Sequence, residues 1–209
     1  MESEAFYYGV DITVSSVKDN SEQQIRDINK FINQHVDLLI ISPNSAIEMR
    51  PVIEKAYDRG IPVILVDRKI NSDKYTAFIG ADNYNIGIEA GKHIAYLLKG
   101  RGTVYEVQGS AESTAATERD AGFRNALKAY PEIALLGYFH AGWYQNEARQ
   151  KMDSVWKRYP HIDAIFAQND RMAKGIYLSS ISNRKNKNLI LSGVDGLSGP
   201  GLGVDEVLR

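Results

Sequence analysis

The sequence predicts an α/β protein built on doubly wound parallel sheets. Short apolar runs alternate with helical segments of about 10–17 residues, and no linker or low-complexity stretch interrupts the alternation. Hydrophobic residues make up 44% and charged residues 24% of the chain, enough apolar material for a packed core, which excludes disorder. At 209 residues the chain exceeds the usual single-domain size, so one large unit or two small lobes are both allowed.

Each element has its own signal. Phe6–Val17 carries Val10, Ile12 and Val14 at the period of a strand. Ser21-Glu-Gln-Gln24 is a capping-box pattern, and a helix to about Gln34 follows with Ile25, Ile28 and Ile32 on one face. Val36–Ser42 is a nearly continuous apolar run, the pattern of a parallel strand covered on both sides. A helix follows, with Pro51 in its first turn and Gly60 closing it. Pro62–Asp67 and Ala77–Ala81 read as strands, and Asn83–Lys99 as a helix ended by Gly100. The alternation continues with strands at Thr103–Gln108, Leu135–Phe139, Ala164–Ala167 and Leu189–Val194. Helices at Thr117–Tyr130, Gln145–Tyr159 and Arg171–Ser182 separate them, and Pro131 and Pro160 stop the first two. The Gly-rich end leads into VDEVLR, the start of a helix.

Several function classes are disfavoured. Lys and Arg total 25 against 26 Asp and Glu, so no positive excess is available for phosphate backbones and generic nucleic-acid binding is not expected. The absence of cysteine removes disulfides, thiolate metal sites and Cys nucleophiles. No apolar run reaches the roughly 18 residues of a membrane span. MESEAFYYG is acidic and polar, unlike a signal peptide, which leaves a cytoplasmic protein or a piece of a longer one. Gly87, Gly91 and Lys92 miss the phosphate-loop spacing and read as close helix packing. Gly199, Gly201 and Gly203 miss the dinucleotide spacing. His35, His93, His140 and His161 are scattered. There is no catalytic constellation, metal set or cofactor loop, so no enzyme, metal or cofactor is expected.

The strand ends are more informative, because ligands of open α/β sheets sit outside the carboxyl ends of the strands. Asp67 and Arg68 follow one strand, and Asp82 and Asn83 the next. Gln108, Gly109 and Ser110 follow another, with Arg119 at the start of the helix beyond. Trp143 and Tyr144, then Gln168, Asn169 and Asp170, then Asp195 follow the last three. Carboxylates and amides bridge vicinal hydroxyls, a guanidinium donates in a fixed fork, and an indole covers the C–H face of a sugar ring. Each residue also has a structural reading. Asp82 and Asp170 read as helix caps, while Asp67 and Asp195 are cap or ligand. Arg119 also reads as a surface ion pair, Trp143 as core and Asn169 as a turn former.

The segments VILVDRK, FIGADNYNIGIEAGKHIA, ATERDAGF, IFAQNDRMAKG and SGVDG, in this order, resemble the periplasmic sugar-binding proteins of the ribose-binding type. Related repressors share much of the pattern, and the resemblance covers about residues 6–209. It implies the type I periplasmic-binding-protein fold, in which two similar lobes close on a monosaccharide, a pentose or hexose. The lobes are expected at 1–81 and 82–209, the first lacking its starting strand and the second its final crossovers. Residue by residue, the resemblance carries sugar binding to Asp67, Arg68, Arg119, Asn169 and Asp195, to Trp143 as the stacking aromatic, and to Asn83 at the lobe crossing.

The ending GVDGLSGPGLGVDEVL is similar to the extracellular sensor domains of bacterial hybrid two-component systems. That implies a periplasmic input domain of an inner-membrane histidine kinase. It would be dimeric in the full-length sensor, touch the membrane only through a segment outside this chain, contact no nucleic acid, and signal by ligand-induced closure. A free binding protein of an ABC transporter and the effector domain of a sugar-responsive repressor are the alternatives.

Overall fold

The computed structural model describes residues 7–18, 20–185, 187–199 and 203. The chain divides into two compact units, Met1–Ile79 and Gly80–Arg209. Among the described residues no helix is long and apolar enough to cross a membrane.

In the first unit, α1 (Ser21–Asn33) precedes β1 (Leu39–Ile41), and α2 (Arg50–Asp58) links β1 to β2 (Val63–Val66). The third strand, β3 (Ala77–Ile79), completes a parallel sheet of order β1-β2-β3. Ile28 and Ile32 of α1 and Val52, Ile53 and Ala56 of α2 pack on Leu39, Ile41, Val63 and Leu65. The strands advance in one direction and the connection from β2 to β3 contains no described helix. Residues of α1 and α2 join one cluster with Leu39, Ile41, Val63 and Leu65, so both helices cover the same sheet face. Among the described residues no helix covers the other face of the 36–42 strand, and Ile40 is 54% exposed.

Two further expectations for this unit need correction. Residues 8–17 form no strand, and Val10, Ile12 and Val14 are exposed. Alternation alone does not make a strand, because the ladder bonds and the buried face must come from a neighbour. Among the described residues β1 pairs only with β2. Phe6 lies outside the described residues. The cap of α1 is Asn20, whose Oδ1 accepts from Gln23 N at 2.9 Å. Ser21 Oγ instead accepts from Asn44 Nδ2 at 3.1 Å.

The second unit runs α3 (Asn83–Leu97), β4 (Arg101–Gln108), α4 (Thr114–Leu127), β5 (Glu132–His140), α5 (Gln145–Arg158), β6 (Ala164–Ala167), α6 (Asp170–Ser182) and β7 (Ile190–Ser192). All pairings are parallel and the order is β5-β4-β6-β7. The chain moves from β4 outward to β5, then returns past β4 to β6, so the winding reverses between β4 and β6. Both sheet faces are filled. Tyr105, Val107 and Ile165 pack on α5 and α6, while Val104 and Phe166 pack on α3 and α4 through Ile94, Phe123 and Leu127. Every residue of β6 is buried, as its unbroken apolar run implies. The helix start expected in VDEVLR lies outside the described residues.

Helices α3 and α4 approach backbone to backbone. A Cβ on Gly87 would fall inside contact distance of Arg119 O, and one on Gly122 inside that of Tyr84 O. This is why glycines recur in the two segments. Gly122→Ala gains about 1 kcal/mol of helix propensity, but it drives a methyl group into a carbonyl that cannot yield without separating the helices. Overpacking of that kind costs about 1–3 kcal/mol. We expect net destabilisation, read as a lower urea midpoint at unchanged m-value; a stabilised Gly122→Ala protein would show the approach to be looser.

Candidate functional site

In the second unit the carboxyl ends of β4 and β6 flank the reversal point, where open α/β sheets hold their ligands. Arg119 is the centre of what gathers there. It lies in the second turn of α4, a little further in than the sequence places it, and is 8% exposed. Its Nε donates to Asn83 Oδ1 at 2.9 Å, and its terminal nitrogen donates to the main-chain oxygen of Gln168. The guanidinium lies 5.7 Å from the centre of the Trp143 ring. Asn169 Nδ2 donates to Trp143 O at 3.3 Å. Four of the seven residues singled out from the sequence (Asn83, Arg119, Trp143 and Asn169) thus form one connected set.

Asp195 stands at the end of the neighbouring strand. The preceding carbonyl, Val194 O, accepts from Asp170 N at 2.8 Å. Asp67 and Arg68 follow β2 in the first unit, with Arg68 Nε 3.6 Å from Asp67 Oδ2. Asp82 caps α3 as expected, its Oδ1 accepting from Asn85 N at 2.9 Å. The cap of α6 is Asn169, whose Oδ1 accepts from Met172 N at 2.8 Å. Asp170, expected to be the cap, is one residue inside the helix and accepts from Leu197 N at 2.7 Å. Asn169 satisfies the helix end with its oxygen while its amide nitrogen donates to Trp143 O.

Backbone conformation marks the same positions. Among the described residues, seven non-glycine residues have positive φ: His35, Asp67, Lys99, Trp143, Arg184, Asn188 and Asp195. His35, Lys99 and Arg184 each directly follow a helix C-cap, where a left-handed residue is routine. Asn tolerates that region. The remaining three are Asp67, Trp143 and Asp195, at φ 66°, 73° and 104°, all after strands and all singled out from the sequence. A bulky residue such as Trp adopts positive φ only where its surroundings fix it. Here the indole lies against Gly109, where a Cβ would fall within the ring's contact distance.

A buried polar layer lies beneath this set; the sequence reading placed Gln108 and Gln168 at strand ends but missed Glu106, Asp120 and Arg124. Glu106 and Gln168 are fully buried, and Gln108 is nearly so. Gln168 Nε2 donates to Glu106 Oε1 at 2.9 Å and to Ala116 O at 3.0 Å, and its Oε1 accepts from Gly109 N at 3.0 Å. Gln108 Nε2 donates to Glu106 Oε2 at 3.0 Å and to Asp120 Oδ1 at 2.8 Å. Arg124 bonds Asp120 and stands 3.8 Å from Glu106 Oε2. Burial, and then the Asp120 carboxyl beside it, push Glu106 from 4.5 up to about 8. The available signal was Glu106 and Gln108, two polar residues at period two in a strand otherwise apolar at Val104, Tyr105 and Val107.

Beside this layer opens a polar cavity of about 430 Å³, with Gln108, Thr117, Asp120, Arg124, Tyr138 and His140 among its walls. None of the seven singled-out residues lines it. Among the described residues no three His, Cys, Asp or Glu side chains gather as a metal site.

The sequence family described as periplasmic binding protein domain matches residues 1–199. The ribose import binding protein of Bacillus subtilis (strain 168) is 30% identical over 196 residues, 94% of this chain and 63% of that protein. The galactofuranose-binding protein of Escherichia coli (strain K12) is 28% identical over 204 residues, 93% of this chain and 64% of that protein. The chain therefore spans less than two thirds of the length of these relatives. Among solved structures, the fructose-binding periplasmic domain of hybrid two-component system BT1754 is 48% identical, with a TM-score of 0.95 over 98% of this chain and 69% of that one. A galactofuranose-binding protein is 27% identical, with a TM-score of 0.88 over 94% of this chain and 69% of that one.

Two outcomes follow from the geometry. Gly109→Ala should displace the Trp143 ring, shifting its fluorescence in a Trp156→Phe background where Trp143 is the sole emitter; an unchanged spectrum would show that the ring is not seated on Gly109. Glu106 holds its proton in the folded state up to about pH 8 but releases it near 4.5 when unfolded. Its contribution to stability is therefore complete below the lower value and is lost as pH rises through the higher one, with a slope of at most about 1.4 kcal/mol per pH unit. Urea unfolding between pH 5 and 8 should show that decline in the native protein and a flatter profile in Glu106→Gln. Identical profiles would mean Glu106 ionises normally.

Proposed function

The chain belongs to the periplasmic binding protein domain family, and from that premise we propose that it binds a monosaccharide, without chemistry, as the periplasmic input domain of a hybrid two-component sensor. The observation that carries the reading is the set at the reversal point: a buried, doubly anchored guanidinium beside an indole and an amide. A guanidinium supplies a fixed fork of donors to hydroxyls, the indole a flat apolar surface for ring C–H groups, and the amide both donor and acceptor. Such groups hold a polyhydroxylated ring, and they include no nucleophile or general base placed for a reaction.

Asp195 is proposed to accept from the sugar hydroxyls beside this set, and Asp67 and Arg68 to contribute from the first unit. A ligand gripped by residues of both units is held more tightly by a closed arrangement, so closure is the proposed signal. A sensor role is favoured by the 48% identity to a fructose-binding sensor domain, which makes fructose the first ligand to try. A free binding protein feeding a transporter is the second reading, favoured by the ribose import relatives. In the sensor reading the full-length protein joins these residues to a membrane segment and a kinase and works as a dimer.

Calorimetry of the full-length protein against fructose, ribose, allose and galactose should show binding of at least one sugar with no turnover. Arg119→Ala and Asp195→Ala should each weaken that binding roughly tenfold to a hundredfold, the loss expected for one charge-assisted bond in a dry site. Trp143→Ala should cost less. Binding confined to amino acids or purines would refute the ligand class, and wild-type affinity in folded Arg119→Ala protein would refute the site.

A further inference from the structure

We propose that Asn83 and Gln168 are positioning residues of the sugar site that act through Arg119, and that Glu106 in turn fixes Gln168. The inference rests on the sugar-binding reading above and assigns Asn83 a different task from direct contact with the ligand.

A guanidinium on a long side chain has many rotamers, and its fork is useful only when its plane is set. Two fixed oxygens set the plane of Arg119. One is Asn83 Oδ1, 2.9 Å from Nε, and the other is the main-chain oxygen of Gln168. Asn83 is 3% exposed at the first turn of α3, where the Gly87 and Gly122 contacts hold that helix against α4. Its Nδ2 faces Ala81 O at 3.4 Å. Its oxygen is thus committed to Arg119, and one of its two amide hydrogens to Ala81 O.

Gln168 lies just past β6, and its main chain is held by Gln168 N donating to Val107 O at 3.0 Å. Its side chain adds further anchors. It bonds Gly109 N beyond β4, Glu106 on β4 and Ala116 O on α4, so the residue is tied to two elements besides its own. An apolar side chain would fill this buried space with no desolvation cost, so three satisfied polar bonds specify a geometry. Glu106 is the acceptor that completes the arrangement, with Gln108 Nε2 on its other oxygen.

The test is a pair of readouts, the exchange on the 209-residue chain and the affinity on the full-length protein. Exchange of the Arg119 Nε–H with solvent, followed by nitrogen-15 NMR and assigned with Arg119→Lys, reports the anchoring without any sugar. Sugar affinity in a double-mutant cycle reports whether the effect passes through Arg119. Asn83→Leu and Gln168→Met should each accelerate the exchange and weaken sugar binding by about tenfold, and neither should weaken it further in an Arg119→Ala background. Asn83→Asp, which keeps an oxygen for Nε, should retain slow exchange, so the proposal stays testable if Gln168→Met does not fold. Ser179→Ala, a buried polar loss on α6 away from Arg119, controls for destabilisation and should leave both readouts unchanged. Unchanged Arg119 exchange in Asn83→Leu, or additive losses in the cycle, would overturn the proposal. Failure of the wild-type chain to bind any monosaccharide would overturn the functional reading instead, and the exchange measurement would still decide the positioning.

Discussion

A buried guanidinium must be met by oxygens, and in this protein that requirement ties the second unit together. Arg119 finds its acceptors on two different elements, Asn83 at the start of α3 and the Gln168 carbonyl beyond β6. The first is in reach because Gly87 and Gly122 let α3 and α4 pack at backbone distance. The second is in reach because the winding reverses between β4 and β6 and leaves their carboxyl ends adjacent. Changing either the helix contact or the strand order would take one of these acceptors from a buried charge, which costs more than an exposed ion pair contributes. Helix packing and sheet order are thus coupled through one side chain, the one on which the proposed sugar site is centred.

The backbone carries a second, independent mark. Among the described residues, once helix ends and asparagine are set aside, the non-glycine residues with positive φ are Asp67, Trp143 and Asp195. Each follows a strand. Conformations that cost energy persist where the surroundings impose them and where the resulting side-chain direction is useful. The indole of Trp143, seated on Gly109 beside Arg119, is the clearest case.

Much of this was legible in the sequence, and the exceptions have physical causes. The apolar runs became β1, β2, β4, β6 and β7, because a run such as AIFA has no stable place except inside a covered sheet. Segment 8–17 reads equally well as a strand and is not one, since alternation describes a residue pattern and a strand also needs a neighbour. Residues 36–42 resembled a strand covered on both sides, yet the one-directional winding of the first unit covers one face only. The strand-end residues were visible as chemical types after apolar runs. Their partnerships were not visible, because Asn83 and Arg119 are 36 residues apart and Glu106 and Gln168 are 62 apart. Glu106 was given no role from the sequence; the packing of α4 over β4 makes it a buried acid.

Hydrogen exchange of the full-length protein with and without fructose tests the central claim most directly, since it asks the backbone where the ligand sits. The account predicts slower exchange on sugar binding at residues 108–119, 142–144 and 168–170, around Arg119, Trp143 and Asn169, with further protection next to Asp195 and Asp67. Protection confined to the walls of the cavity beside Asp120, Arg124 and Tyr138, or sugar binding with no change near Arg119, would contradict it.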